Sequence, residues 1–483
     1  MKIIYMLLML SLFSCSKEEA SVDTVVYVKT IKLSGSNITE GTSSQLKGVL
    51  LPDNATNKTV FWKSSDTSIA EISSSGLLTA KKNGKVLITA TAIDKNTVFA
   101  TKEISISSFS NGQTFDYTVS NSAELLVALA KVKAGETIAM NGGTYIMSSK
   151  ITLSVSGTTS SKISLIGLTN PSRPKLDFST MTENASNQGI ILTGNNWYIK
   201  GIDIYKAGDN GLQLKGSNNL IEFCTFSECA DTGLQIDSGA SNNTILNCDS
   251  YFNADATLEN ADGFACKLSA GTGNKFIGCR AWQNLDDGWD GYLRGADNIT
   301  TTYQNCWAVK NGFLKNGTKG AGDGNGFKTG GSDDKLLQHN AVYKNCIAAG
   351  NVSDGFDHNS NRGNVVLYNC SAYSNGKNYS FSSTNPLEKL TIKNSCSLGA
   401  FGATNATLID VTNNSWQNGI VTDASDFKSI DYNQLLVPRK VDGSLPDVTF
   451  LNLNLGSDLI DKGIDVGLPF IGSAPDLGAF EFN

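Results

Sequence analysis

The sequence predicts an all-β chain, a long solenoid of wide parallel coils preceded by a small β-sandwich. Three observations carry this reading. Cys224, Cys248, Cys279, Cys306, Cys346, Cys370 and Cys396 recur in one local context at intervals of 24, 31, 27, 40, 24 and 26 residues. Such spacing is about one turn of a wide β-coil, and residues distant in sequence then lie side by side on neighbouring coils. Short apolar strands such as Trp197-Tyr198-Ile199-Lys200 and Val365-Val366-Leu367-Tyr368 end at a small residue or Asn that can take a bend. Residues 25–108 differ, with alternating strands separated by polar turns at sandwich-like spacing.

Composition narrows the function. Of 483 residues 17% are charged, with 47 Gly and 8 Pro, as expected for many strands joined by tight turns. Net charge is −6 and no basic run occurs, which argues against nucleic acid as partner. His339 and His358 are the only histidines, so zinc sites and histidine-based triads are poorly supplied. No C-x-x-C pair occurs. Free cysteine behaves as a small buried hydrophobe, and the recurring cysteines are expected to form an interior stack.

Residues 1–14 carry one positive charge and a short apolar run, and read as a secretory signal. Leu12-Phe13-Ser14-Cys15 resembles the lipobox of bacterial lipoproteins, which implies acylation of Cys15. Residues 15–24 are then a lipidated tether. Ser16-Lys17-Glu18-Glu19 resembles the surface-export signal of Bacteroidetes lipoproteins, implying an outer-membrane protein exposed at the cell surface, with the periplasmic face as the alternative.

Within residues 25–108, Trp62-Lys63-Ser64-Ser65-Asp66 followed by Ser75-Gly76-Leu77-Leu78 and Asn83-Gly84-Lys85-Val86 resembles bacterial immunoglobulin-like group 2 domains. Trp62 is expected in the sandwich core. Ser110–Gln113 reads as a linker. Ser122 to Lys131 has apolar residues at helical spacing behind a Ser/Glu start, as in a helix that covers an open coil end. The coils run from about Ile163 to Leu398, and the stretch from Leu459 to Glu481 is expected to pack back as a C-terminal cap. The intervals of 31 and 40 imply loops bulging from two coils, next to the residues that carry the chemistry.

Those residues are Asp262, Asp286, Asp287 and Asp290, with Lys328 further on. Asp262 and Asp286 lie 24 residues apart, so stacked coils would bring four carboxylates to one patch. Such a patch suits a hard cation with oxygen ligands, above all calcium. A lysine beside it can serve as a base.

Asn260-Ala261-Asp262-Gly263-Phe264-Ala265-Cys266-Lys267, Asp286-Asp287-Gly288-Trp289-Asp290 and Gly324-Asn325-Gly326-Phe327-Lys328 resemble the motifs of family 9 polysaccharide lyases, over roughly residues 115–483. Asp354-Gly355-Phe356-Asp357 fits their later coils. The resemblance implies a right-handed parallel β-helix that cleaves pectin by β-elimination. It implies Ca²⁺ held by Asp262, Asp286, Asp287 and Asp290, and Lys328 as catalytic base. The polymer is galacturonate-containing, either homogalacturonan or rhamnogalacturonan I. Lys267, Arg280, Arg294 and Arg362 are candidates to bind further uronates, with solvated surface as the alternative. The chain is expected to act as a monomer. Two rival classes stand beside this one: a β-helix glycoside hydrolase using Asp286 and Asp287 as a carboxylate pair, and a non-catalytic surface adhesin.

Overall fold

A computed structural model describes residues 25–38, 43–106, 115–168, 172–440 and 442–482. The leader, Cys15 and the linker at 110–113 lie outside the described residues. The chain divides into two compact units between Gln113 and Thr114.

The first unit consists of small antiparallel sheets. Its longest strands, Gly84–Ala92 and Phe99–Ile106, pair with each other, and Val60–Ser64 pairs with the former. Trp62 is buried in the core with Val86, Ile88 and Ile104, as its alternating strand demands.

The second unit is a parallel β-helix of three sheets. Among the described residues the first sheet has 12 strands, from Tyr117–Val119 to Leu408–Thr412. The second has 10, from Gly143–Ile146 to Cys396–Leu398, and the third has 10, from Ile151–Leu153 to Gly402–Thr404. Each coil between the two terminal ones contributes one strand to each sheet, so every strand pairs with its counterpart one coil away. At the N-terminal end the helix Ser122–Leu129 covers the first coil, burying Leu125 and Ala128. Its N-cap is Asn121, whose side chain accepts from the Glu124 amide.

The repeating Asn-Cys context has a direct structural cause. Asn247, Asn305, Asn345 and Asn369 take φ between 52° and 53°, the left-handed turn between the first and second sheets, and Asn tolerates it. The next residue then points inward, so Cys248, Cys306, Cys346 and Cys370 stack in the core. One expectation is corrected here. At the last coil Asn394 makes the turn and Ser395 takes the inward slot, accepting the amide of Cys370. Cys396 is displaced by one residue and packs under the C-terminal segment.

Two further ladders hold the coils in register. Asn253, Asn284, Asn311, Asn351 and Asn375 pass side-chain amide bonds of 2.8–3.0 Å from coil to coil. Inside, Phe264, Trp289, Phe327, Phe356 and Tyr379 stack with centroids 4.7–5.3 Å apart. Trp416 and Phe401 pack against Tyr379 at the end of this stack. The C-terminal segment runs along the outer face of the second sheet, where Phe427, Leu435, Phe450 and Leu453 meet Trp307, Val309 and Ile347.

Candidate active site

The third sheet builds the site by register. Phe264 pairs with Trp289, Trp289 with Phe327, and Phe327 with Phe356. These aromatics point inward, so by alternation the following residues Ala265, Asp290, Lys328 and Asp357 form an outward row in which Lys328 sits between Asp290 and Asp357. Two residues before each aromatic stand Asp262, Asp287, Asn325 and Asp354. The intervening residue is glycine every time, for a packing reason. A Cβ on Gly326 would lie 2.7 Å from the Gly355 carbonyl and 2.9 Å from the Asn351 amide of the ladder. Ala261, which precedes Asp262, has φ 149°, a strained value for a residue other than glycine.

One coil therefore separates Asp262 from Asp287, and the Asp286 amide donates to the Ala261 carbonyl at 3.1 Å. One oxygen from each of Asp262, Asp286 and Asp287 falls within 4.8 Å of the others. Asp262 and Asp287 are 2% and 0% exposed. Asp287 Oδ1 accepts the Asn325 amide at 2.8 Å, while its buried Oδ2 faces the Lys328 ammonium at 3.2 Å. Burial and the neighbouring acids push Asp287 well above the usual carboxylate range, and push Asp286 to about 7. Carboxylates crowded out of water in this way call for a cation. An all-oxygen set gathered from two adjacent coils fits a hard divalent ion such as calcium.

Two lysines stand among the acids. Lys328 Nζ lies 3.2 Å from Asp287 Oδ2 and 2.9 Å from Asp323 Oδ2. Burial favours its neutral form, but Asp287, Asp290, Asp286 and Asp323 outweigh burial and hold its pKa well above the ordinary value. Lys267 Nζ lies 2.7 Å from Asp262 and 3.3 Å from Asp290. Burial pushes the Asp290 carboxyl up, yet Lys328 and Lys267 prevail and hold it below the usual range. Asp262, Lys267, Asp286, Asp290, Arg294 and Lys328 share the wall of a cleft of about 270 Å³.

The structure thus gathers all five residues predicted for metal and base, together with Lys267. Arg294 lines the same cleft, paired to the exposed Asp333 at 3.1 Å. Arg280 is a correction. It belongs to the second sheet, is 3% exposed, and gives its guanidinium to Asp249 and to the carbonyls of Leu435 and Val437. Its role is to hold the C-terminal segment, and its burial there keeps it from a uronate in the cleft. Arg362 is absent from the cleft wall and sits at the turn after the third sheet, its amide bonded to Leu337. His339 is likewise structural, held between the Gly291 carbonyl and Thr301 Oγ1.

Sequence reasoning missed Asp323, which accepts from Lys328 and donates its amide to Asp286 at 2.5 Å. It also missed Asp357, whose carboxyl burial and Asp354 push to about 7 beside Lys328. The signal was present in the recurring x-Gly-aromatic triplet, which aligns Asp357 with Lys328 and Asp290 once the coils are superposed.

Known proteins resemble this chain along most of its length. Residues 105–395 match the family described as "Pel9A-like, right handed beta helix region", and residues 26–104 match "Bacterial Ig-like domain (group 2)". Pectate lyase L of Dickeya dadantii (strain 3937) is 36% identical over 389 residues, covering 78% of this chain and 88% of its own. Pectate lyase L of Paenibacillus polymyxa (strain SC2) is 36% identical, covering 71% and 80%. The crystal structure of pectate lyase Pel9A superposes with a TM-score of 0.70 at 36% identity, covering 77% of this chain and 98% of that one. A solved rhamnogalacturonan lyase superposes at 0.63 with 27% identity, covering 70% and 97%. The chain belongs to the Pel9A-like family of right-handed β-helices, carries a group 2 immunoglobulin-like domain before it, and is a polysaccharide lyase.

Proposed function

We propose that the chain cleaves the galacturonate-containing backbone of pectin by β-elimination, with Asp262, Asp286, Asp287 and Asp290 as Ca²⁺ ligands and Lys328 as the base. The names of the relatives support pectin as substrate. The observation that carries the chemistry is the placement of Lys328 Nζ, 3.2 Å from Oδ2 of the buried Asp287 carboxylate. A bound Ca²⁺ would supply Lewis acidity and a binding point for the substrate carboxylate.

The residues of the chain do the rest. The four acids would hold the cation that receives the carboxylate of a uronate, at the wall of the cleft that Lys328 also lines. Lys328 projects from the outward row and takes the C5 proton on Nζ. The C5–H electron pair forms the C4–C5 double bond, the C4–O bond breaks, and the departing oxygen is protonated by solvent. In the metal-free state the surrounding acids keep Lys328 as an ammonium. A base at this position therefore depends on those acids being neutralised.

The test follows new ultraviolet absorbance, from the double bond conjugated to the carboxylate, on purified homogalacturonan and rhamnogalacturonan I with calcium present. Absorbance on either polymer supports elimination. New reducing ends without absorbance would move the chain to the hydrolases, with Asp286 and Asp287 as the pair.

We further propose that Cys15 carries lipid and places the protein on the outer membrane, facing outward. Labelled fatty acid should enter the wild type and not Cys15→Ala. Protease treatment of intact cells then reports the membrane face.

A further inference from the structure

Lys267 was a candidate to bind a uronate, with solvated surface as the alternative, but its ammonium is already committed. It leaves the end of the strand Phe264–Cys266, reaches back to Asp262 at 2.7 Å, and reaches across to Asp290 on the next coil at 3.3 Å. Its side chain is 17% exposed. Asp290 is not part of the trio whose oxygens approach within 4.8 Å, and Lys267 is what ties it to Asp262. Fully ionised, the four acids would carry four negative charges, of which Lys267 and Lys328 offset two. That partial neutralisation lets four carboxylates sit on two adjacent coils before any cation arrives.

We propose that Lys267 is an internal counter-ion that competes with the cation for Asp262 and Asp290 and so sets how weakly the site holds it. The proposal rests on the reading of the four acids as a calcium site. A cation entering this set meets a positive charge already on two of its oxygens. At such range, in a partly desolvated cleft, like charges repel strongly, and this exceeds what the lysine contributes by orienting two acids. The ammonium keeps the acids together in the metal-free protein and lowers the affinity of the assembled site.

Calorimetric titration of calcium chloride into the chelator-stripped full chain tests this without reference to turnover. Lys267→Met, which keeps the length and removes the charge, should bind calcium tighter by about tenfold or more. Lys267→Arg, which keeps the charge, should stay close to wild type. Equal or weaker binding by Lys267→Met overturns the proposal. If that variant does not fold, the wild type still decides. Calcium should then raise the rate at which an amine-acylating reagent modifies Lys267, because the cation takes its carboxylate partners, and an unchanged or slower rate overturns the proposal. Absence of calcium uptake by the wild type would remove the metal reading itself, and this proposal with it. Uptake without tightening removes this proposal alone.

Discussion

Lys328 is the residue on which turnover depends most. Lys328→Ala should lower the rate of absorbance increase by about 10²- to 10⁴-fold, the range of a lost general base. Substrate and calcium binding, read by calorimetry, should persist. Near-normal turnover would move the base elsewhere. Asp287 has a separate signature because its oxygens are held by the Asn325 amide and approached by Lys328. Asp287→Ala should raise the calcium needed for half-maximal activity by at least about tenfold, which a titration of rate against calcium reads directly. The four acids were legible from spacing, since 24 residues is one coil. Asp323 was not, because it belongs to the loop within the 40-residue interval and reaches the site only through the folded path of that loop.

At the scale of elements, the Gly-aromatic pairs place the chemistry by giving the outward neighbours a fixed row. Gly326→Ala would press a methyl into the Gly355 carbonyl and the Asn351 amide, costing about 1–3 kcal/mol and moving Lys328. Thermal unfolding and turnover should fall together, and a variant with neither change would remove this account of the motif. The C-terminal segment is tied on by a buried charge cluster. Asp249 accepts from Arg280 and from Arg439, both 4% exposed at the side chain. Arg439→Ala should destabilise by about 3–5 kcal/mol, as when one partner of a buried pair is removed. The same cluster sets an acid limit. Burial pushes Asp249 up, but Arg439 and Arg280 outweigh it and hold its pKa below the usual value. A depressed folded pKa gives stability that is complete above the unfolded value of about 3.9 and is lost as pH falls through the lower folded value. Melting temperature should drop on acidification below about pH 4, and Asp249→Asn should weaken that dependence at the cost of lower stability at neutral pH.

At the scale of the molecule, the two units make different predictions. Chelation should abolish activity and added calcium restore it, with a rise in melting temperature, since a ligand that binds only the folded state stabilises it. Full activity in chelator would sink the proposed mechanism. Magnesium should substitute poorly because it demands a smaller octahedral shell. The division between Gln113 and Thr114 leaves the cleft wholly within the second unit. A chain beginning at Phe115 should therefore keep activity on soluble polymer.

The sequence by itself determined the coil. Its recurring cysteines and its short apolar strands ending at Asn or a small residue return about once per coil, and a repeated pattern needs no long-range information to be read. That period also set Asp262 against Asp286 and Asp287. The tertiary structure decided what the period does not encode. Arg280 looked like a free cation near the acids, yet the returning C-terminal segment buries it from more than 150 residues away. Lys267 looked like a substrate-binding residue, yet the pleat turns it onto two carboxylates of the site. Cys396 fell in step with the other cysteines by interval, yet one extra residue after the Asn394 turn moved it out of the ladder. In each case the outcome depends on which face a side chain takes and what packs against that face. A single-residue change in register reverses the face.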